Sequence, residues 1–132
     1  MTEMKGSAVI QIDSETVRAF LEKIVEGNAG SFIKKIFDSS SKLRFYDNKI
    51  ELSVLFFKFY AKLVQFPSTL CGVYEFEHNI PAEKLNISKL PQNIKIKDNK
   101  LYFFVPENVL TQNLIIRSMK ISDDKIYIEL TY

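Results

Sequence analysis

Three separate segments of this chain repeat one local design, and each commits its stretch to an antiparallel hairpin. They are Lys42–Leu52, Lys95–Phe103 and Lys120–Ile128. In each, apolar and polar residues alternate, meet Asp-Asn or Asp-Asp followed by Lys, and then alternate again. A period of two marks a strand with one covered face. Asn and Asp reach positive φ more readily than other non-glycine residues, so two-residue turns are expected at Asp47-Asn48, Asp98-Asn99 and Asp123-Asp124. Their spacing is irregular, which marks a reused device rather than a solenoid repeat. Asp123-Asp124 lacks the spaced ligands of a calcium loop, so turn chemistry explains it.

Ahead of the hairpins, Asp13 to Ser39 reads as an amphipathic helix in one piece or two. Asp13 or Ser14 can cap its first turn, and Glu15 suits the positive end of the dipole. Val17, Phe20, Leu21 and Ile24 recur at i, i+3, i+4, i+7, with Arg18, Glu22, Lys23 and Glu26 mostly opposite. Gly27-Asn28-Ala29-Gly30 is either a helix end with a left-handed cap or a kink. Phe32, Ile33, Ile36 and Phe37 then resume the stripe. Each such side chain gains roughly 1.5–3 kcal/mol on leaving water, so this face must be covered.

The run from Ile50 to Phe66 changes phase. Ile50, Leu52, Val54 and Phe56 share one parity, and Phe57, Phe59, Ala61 and Leu63 the other. Such a flip predicts a bulge or sharp bend near Leu55–Phe57 in one long strand. A helix over Val54–Leu63 is the competing reading, and the β-branched and aromatic content favours the strand. Gly72–Ile80 alternates cleanly, with Tyr74, Phe76, His78 and Ile80 on one side. Pro81–Leu85 suits one helical turn, with proline at its first position. The Asn86-Ile87-Ser88 sequon reads as accidental without a secretory signal.

The 132 residues suffice for one core, so a single domain over 1–132 is expected. The formal net charge is +2 and lysines alternate with acids along the chain, which argues against nucleic acid as the main partner. Cys71 is the sole cysteine, so neither a disulfide framework nor a zinc cluster is expected. No apolar run is long enough for a transmembrane helix. The start is not a signal peptide. A cytoplasmic location is expected if that start is native, and a periplasmic or membrane-associated one if a leader was removed.

Little here can carry catalysis. His78, the sole histidine, alternates with inward residues while Glu75 and Glu77 point the other way, so a buried, hydrogen-bonded or mouth-facing imidazole is favoured over a general base. Cys71 reads as a small hydrophobe. No glycine-rich phosphate loop is present, and no cofactor, metal or catalytic group is expected. The more informative anomaly is apolarity on both faces of one strand. Leu101, Phe103 and Val105 take one side and Tyr102 and Phe104 the other, and Leu55 lies opposite Val54 and Phe56. A second layer, a partner subunit or a hydrophobic ligand must meet the surplus face.

A helix entered through Ile10-Gln11-Ile12-Asp13-Ser14-Glu15-Thr16-Val17-Arg18-Ala19-Phe20-Leu21, followed by Asp-Asn-Lys hairpins, resembles the tubular lipid-binding (TULIP) superfamily, in particular its small bacterial single-domain members. The resemblance implies an α+β fold in which a strongly curved antiparallel sheet of hairpins wraps a long, kinked or straight, N-terminal helix. It also implies a non-enzymatic protein that binds a hydrophobic small molecule, such as a fatty acid or phospholipid, in an apolar groove. Phe20, Leu21, Ile24, Phe32, Ile33 and Phe37 would form one wall, and Phe56, Phe76, Leu101 and Phe103 the other. Arg44, Lys58 and Lys62 would meet a headgroup at the rim. The alternatives are an assembly domain that buries its apolar strand face in a homodimer, and a small enzyme similar to the NTF2-like fold.

Overall fold

The computed structural model describes residues 6–28, 41–80 and 91–132, the side chains of 24–28 excepted. Strand β1 (Ser7–Asp13) leads into helix α1 (Ser14–Asn28). Then come β2 (Ser41–Tyr46), β3 (Lys49–Val54), β4 (Phe57–Gln65), β5 (Gly72–His78), β6 (Ile94–Lys97), β7 (Lys100–Val105), β8 (Ile115–Ser122) and β9 (Lys125–Thr131). All pairings are antiparallel. They form a three-stranded sheet in the order β1-β9-β8 and a six-stranded sheet in the order β2-β3-β4-β5-β7-β6.

The three Asp-Asn and Asp-Asp turns close hairpins β2-β3, β6-β7 and β8-β9. Asp47, Asn48, Asp98, Asp123 and Asp124 all hold positive φ, between 50° and 60°. One hydrophobic cluster spans both sheets: Phe45 and Tyr74 of the large sheet meet Ile116, Ile121, Ile126, Ile128 and Leu130 of the small one. Ile121 and Leu130 are the most deeply buried large side chains. The aliphatic face of the C-terminal hairpin is therefore the centre of the core. Tyr74 places its ring there, and its hydroxyl donates to the Leu70 carbonyl at 2.6 Å. Burial, with a smaller contribution from neighbouring Cys71, pushes that phenol up to about 12.

This architecture corrects the expected α+β fold. The protein is mostly β, its two sheets are not closed, and no curved sheet wraps a long N-terminal helix. Helix α1 lies at the flank, where Val17 packs on the cluster and Phe20 is still 38% exposed. The isoleucines of β8 and β9 fill the core between the sheets instead. A second correction concerns Ile50–Phe66. The phase flip is a two-residue turn at Leu55-Phe56, not a bulge, and it splits the run into β3 and β4. Residues 32, 33 and 37 of the expected wall lie outside the described residues, as do the expected helical turn at 81–85 and the sequon at 86–88.

The two sheets are locked along their facing edges by a reciprocal clasp between hairpin turns. Asn48 donates its backbone N–H to the Ile121 carbonyl at 2.9 Å, and its Oδ1 accepts the Ile121 N–H at 3.0 Å. Asp124 does the same in the other direction. Its N–H donates to the Phe45 carbonyl at 3.3 Å and its Oδ1 accepts the Phe45 N–H at 3.1 Å. Each turn side chain thus completes a strand-like pair with a core residue of the other sheet. At the far end of β8, Leu70 N–H donates to the Leu114 carbonyl and Ile116 N–H to the Ser68 carbonyl. Arg18 of α1 covers the start of β2 by donating to the Ser41 hydroxyl and carbonyl.

Glycine at position 48 or 124 would relax the positive φ yet delete the acceptor. Asn48→Gly and Asp124→Gly are therefore expected to lower stability by about 1–3 kcal/mol, the cost of orphaning an N–H that water reaches poorly. Asp98→Gly, at a turn without a clasp, should be neutral or stabilising; urea midpoints of the three variants check this. At the helix start, Asp13 Oδ1 accepts both the Thr16 N–H and its hydroxyl at 2.8 Å. These bonds, helped by the nearby Lys125, hold the Asp13 carboxyl below its usual 3.8. Its contribution is then full above the unfolded value and is lost as pH falls through the folded one. Asp13→Asn keeps a capping acceptor and should flatten this acid-range slope, read as melting temperature at pH 7 and pH 3.

Candidate functional site: an apolar finger beside a basic sheet face

Among the described residues four hairpins close with two-residue turns of which the first residue has positive φ, and three of them use Asp there. The β3-β4 hairpin places Leu55 at φ 54° instead. A branched aliphatic side chain in the left-handed region costs roughly 1–2 kcal/mol, so this turn gives up stability to present its side chains. It presents them to water. Leu55 is 57% exposed, Phe56 97% and Phe57 61%. Phe57 stacks on Phe59 with ring centroids 6.2 Å apart.

The hairpin also projects. Strand β5 pairs with β4 only from Ala61 onward. Beyond that point the side chain of Asn79 substitutes for a strand, accepting the Tyr60 N–H at 2.8 Å and donating to the Lys58 carbonyl at 3.0 Å. On this side residues 57–58 reach past the cap, and on the other β2 pairs as far as Ser41–Val54, which leaves Leu55 and Phe56 as the tip of a finger.

The large sheet sorts charges that merely alternate along the chain. Residues directly opposite in register share a face, and the core face carries Leu43, Phe45, Ile50, Leu52, Leu63, Tyr74 and Phe76. The outer face therefore carries Lys42, Arg44, Lys49, Lys58, Lys62, Lys95, Lys97 and Lys100, against Glu51, Glu75 and Glu77. Eight cations face three carboxylates on a chain whose formal net charge is +2. Lys42 and Lys58 lie in one register row with Ser53, one residue behind the Val54–Phe57 pair at the base of the turn. Two of the rings on this face, Tyr46 and Phe104, hold cations. Arg44 and Lys49 sit 5.0 and 4.7 Å from the Tyr46 centroid, and Lys95 5.5 Å from that of Phe104. Lys100 pairs with Glu75 at 3.5 Å, and Tyr46 donates to Glu51.

Of the residues expected to line a groove, Phe20 and Phe103 meet edge to face at 6.5 Å, and Phe103 meets Tyr74 at 6.3 Å. Phe76 and Leu101 share the core face with them, and Leu21 is half-buried on α1. The side chain of Ile24 lies outside the described residues. Phe56 is not brought to this group; it stands alone at the fingertip. Arg44, Lys58 and Lys62 lie on the outer face. The depressions found beside the clasp are shallow. The larger, about 630 Å³, is lined by residues such as Asp47, Asn48, Lys120 and Asp123 rather than by those aromatics.

His78 is buried opposite Ala61. Its Nδ1 accepts the Ile80 N–H at 3.0 Å, so the lone pair a general base would use is committed. Among the described residues its Nε2 has no partner, and Glu75 and Glu77 are on the opposite face, as expected from the alternation. Cys71 is half-buried with its Sγ 3.2 Å from the Thr69 hydroxyl. Among the described residues no three His, Cys, Asp or Glu side chains gather as a metal site, and no helix is long and apolar enough to cross a membrane.

If the fingertip trades stability for presentation, Leu55→Gly should raise stability by about 1 kcal/mol, read as a higher urea midpoint with unchanged circular dichroism. A lowered midpoint would show that Leu55 is held by contacts within the fold. No protein family, curated protein or solved structure is detectably similar to this chain.

Proposed function

We propose that this chain is a non-enzymatic lipid-binding module that docks reversibly on an anionic bilayer surface. The finger enters the apolar layer and the lysines behind it meet the headgroups. The observation that carries this reading is a turn with positive φ built from Leu55-Phe56, exposed to water at both residues and backed by Lys42 and Lys58. Strand geometry sets the rise at about 3.3 Å per residue, so these two cations sit only a few ångströms behind the tip. Their aliphatic stems can follow the finger while their ammonium groups stay at headgroup level.

Magnitudes suit weak, reversible attachment. Each large apolar side chain contributes roughly 1.5–3 kcal/mol on leaving water. Each lysine near an anionic surface contributes about 1 kcal/mol. Neither term alone holds a protein on a membrane, and their sum does. A groove between helix and curved sheet plays no part, since α1 is not enclosed.

Co-sedimentation with phosphatidylcholine vesicles, with and without phosphatidylserine, tests the proposal. Binding is expected only with the anionic lipid. Phe56→Ser should weaken it by about tenfold or more, and added salt should weaken it further. Binding that ignores Phe56→Ser, or no binding to anionic vesicles, contradicts the reading.

A further inference from the structure

The four outer edges of the two sheets are treated unequally. The edge of β2 is covered by Arg18 at Ser41 and by Asp124 at Phe45. That of β8 is closed by Asn48 at one end and by Ser68–Leu70 at the other. Strand β6 is only four residues long, carries Lys95 and Lys97, and spends its Ile94 N–H on the Pro91 carbonyl. Short length, lysines and side-chain caps are the devices that keep sheet edges from pairing with other chains.

Strand β1 has none of them. Its seven residues, Ser7–Asp13, include no proline, no lysine and no register shift. The Tyr132 N–H donates to the Gly6 carbonyl, and antiparallel bonding alternates from there. Ala8, Ile10 and Ile12 therefore spend their backbone groups on β9, and Ser7, Val9 and Gln11 aim theirs outward. Among the described residues nothing pairs with those groups. Val9 is also 58% exposed.

We infer that the outer edge of β1 pairs with the same edge of a second copy of this chain. The other edges are short, lysine-bearing or partly capped and so resist pairing, whereas β1 is bare along its length, so the contact is β1 to β1 across a twofold axis and stops at a dimer. The register that uses every outward group sets Val9 opposite Val9 and Ser7 opposite Gln11 on both sides, for about six backbone hydrogen bonds. It stacks two exposed valines and joins the two small sheets into one continuous sheet. The inference does not depend on the lipid reading, because the finger is on the other sheet.

Sedimentation velocity across a concentration series is the test. The full chain should approach twice its 15.3 kDa mass. Val9→Pro deletes an outward N–H and leaves the β9 ladder intact, so it should sediment as a folded monomer. Phe104→Glu, on the outer face of the large sheet, should remain dimeric. A wild-type chain that stays monomeric, a folded Val9→Pro dimer, or dissociation by Phe104→Glu would overturn the inference. Should Val9→Pro fail to fold, hydrogen exchange on the wild type decides. Val9 and Gln11 amides that slow as concentration rises support the pairing, and amides that exchange fast at every concentration refute it.

Discussion

Two side-chain oxygens, on Asn48 and Asp124, hold this molecule's sheets edge to edge. Each sits in a hairpin turn and satisfies the N–H of a core residue in the other sheet, Ile121 or Phe45. The arrangement resolves a difficulty common to open sandwiches. The facing edges of β2 and β8 would otherwise bring unpaired backbone groups beside a hydrophobic core, where each costs more than an ordinary hydrogen bond returns. By lending turn side chains to this purpose, the chain closes the edges without needing further strands. The isoleucine face of β8 and β9 can then pack against Phe45 and Tyr74 as one cluster.

Set against the two clasp turns, the third and fourth show what each position is for. Asp98 serves turn geometry alone. Leu55 serves neither geometry nor packing, since it adopts the same φ at greater cost and leaves its side chain in water. Exposed apolar residues scattered singly need no explanation, but three in succession on a projecting, internally paired hairpin do. The sheet that carries the finger also gathers the cations on its outer face, while the rest of the sequence is net acidic. The finger and its two nearest cations, Lys42 and Lys58, lie at the same end of that sheet, which is the physical basis for the proposed docking role.

The hairpins of this fold were legible in the sequence, and its architecture was not. Period-two alternation about Asp-Asn and Asp-Asp identified three hairpins, and the inward side of His78 followed from Tyr74 and Phe76. The helix start at Asp13 was also readable, since capping is a local interaction. What the sequence did not disclose were competitions between distant segments. Nothing in the stripe of Val17, Phe20 and Leu21 reveals that Ile121, Ile126 and Leu130 fill the sheet face first, so the helix was given the centre of the core. A change of phase at residues 55–57 is equally compatible with a bulge, a sharp bend and a two-residue turn, and Leu55-Phe56 carries no turn residue that would separate them. Charge sorting was hidden because alternation in sequence becomes segregation only once strands are registered side by side.

The chain contains no tryptophan, so Phe56→Trp supplies a single fluorescent reporter at the fingertip. In buffer its emission should be that of an indole in water, readily quenched by acrylamide. On vesicles containing phosphatidylserine the emission should shift to the blue and become shielded from acrylamide, while phosphatidylcholine vesicles leave it unchanged. Emission that stays red and quenchable in the presence of excess anionic vesicles would contradict insertion of the finger, and with it the role assigned to this surface.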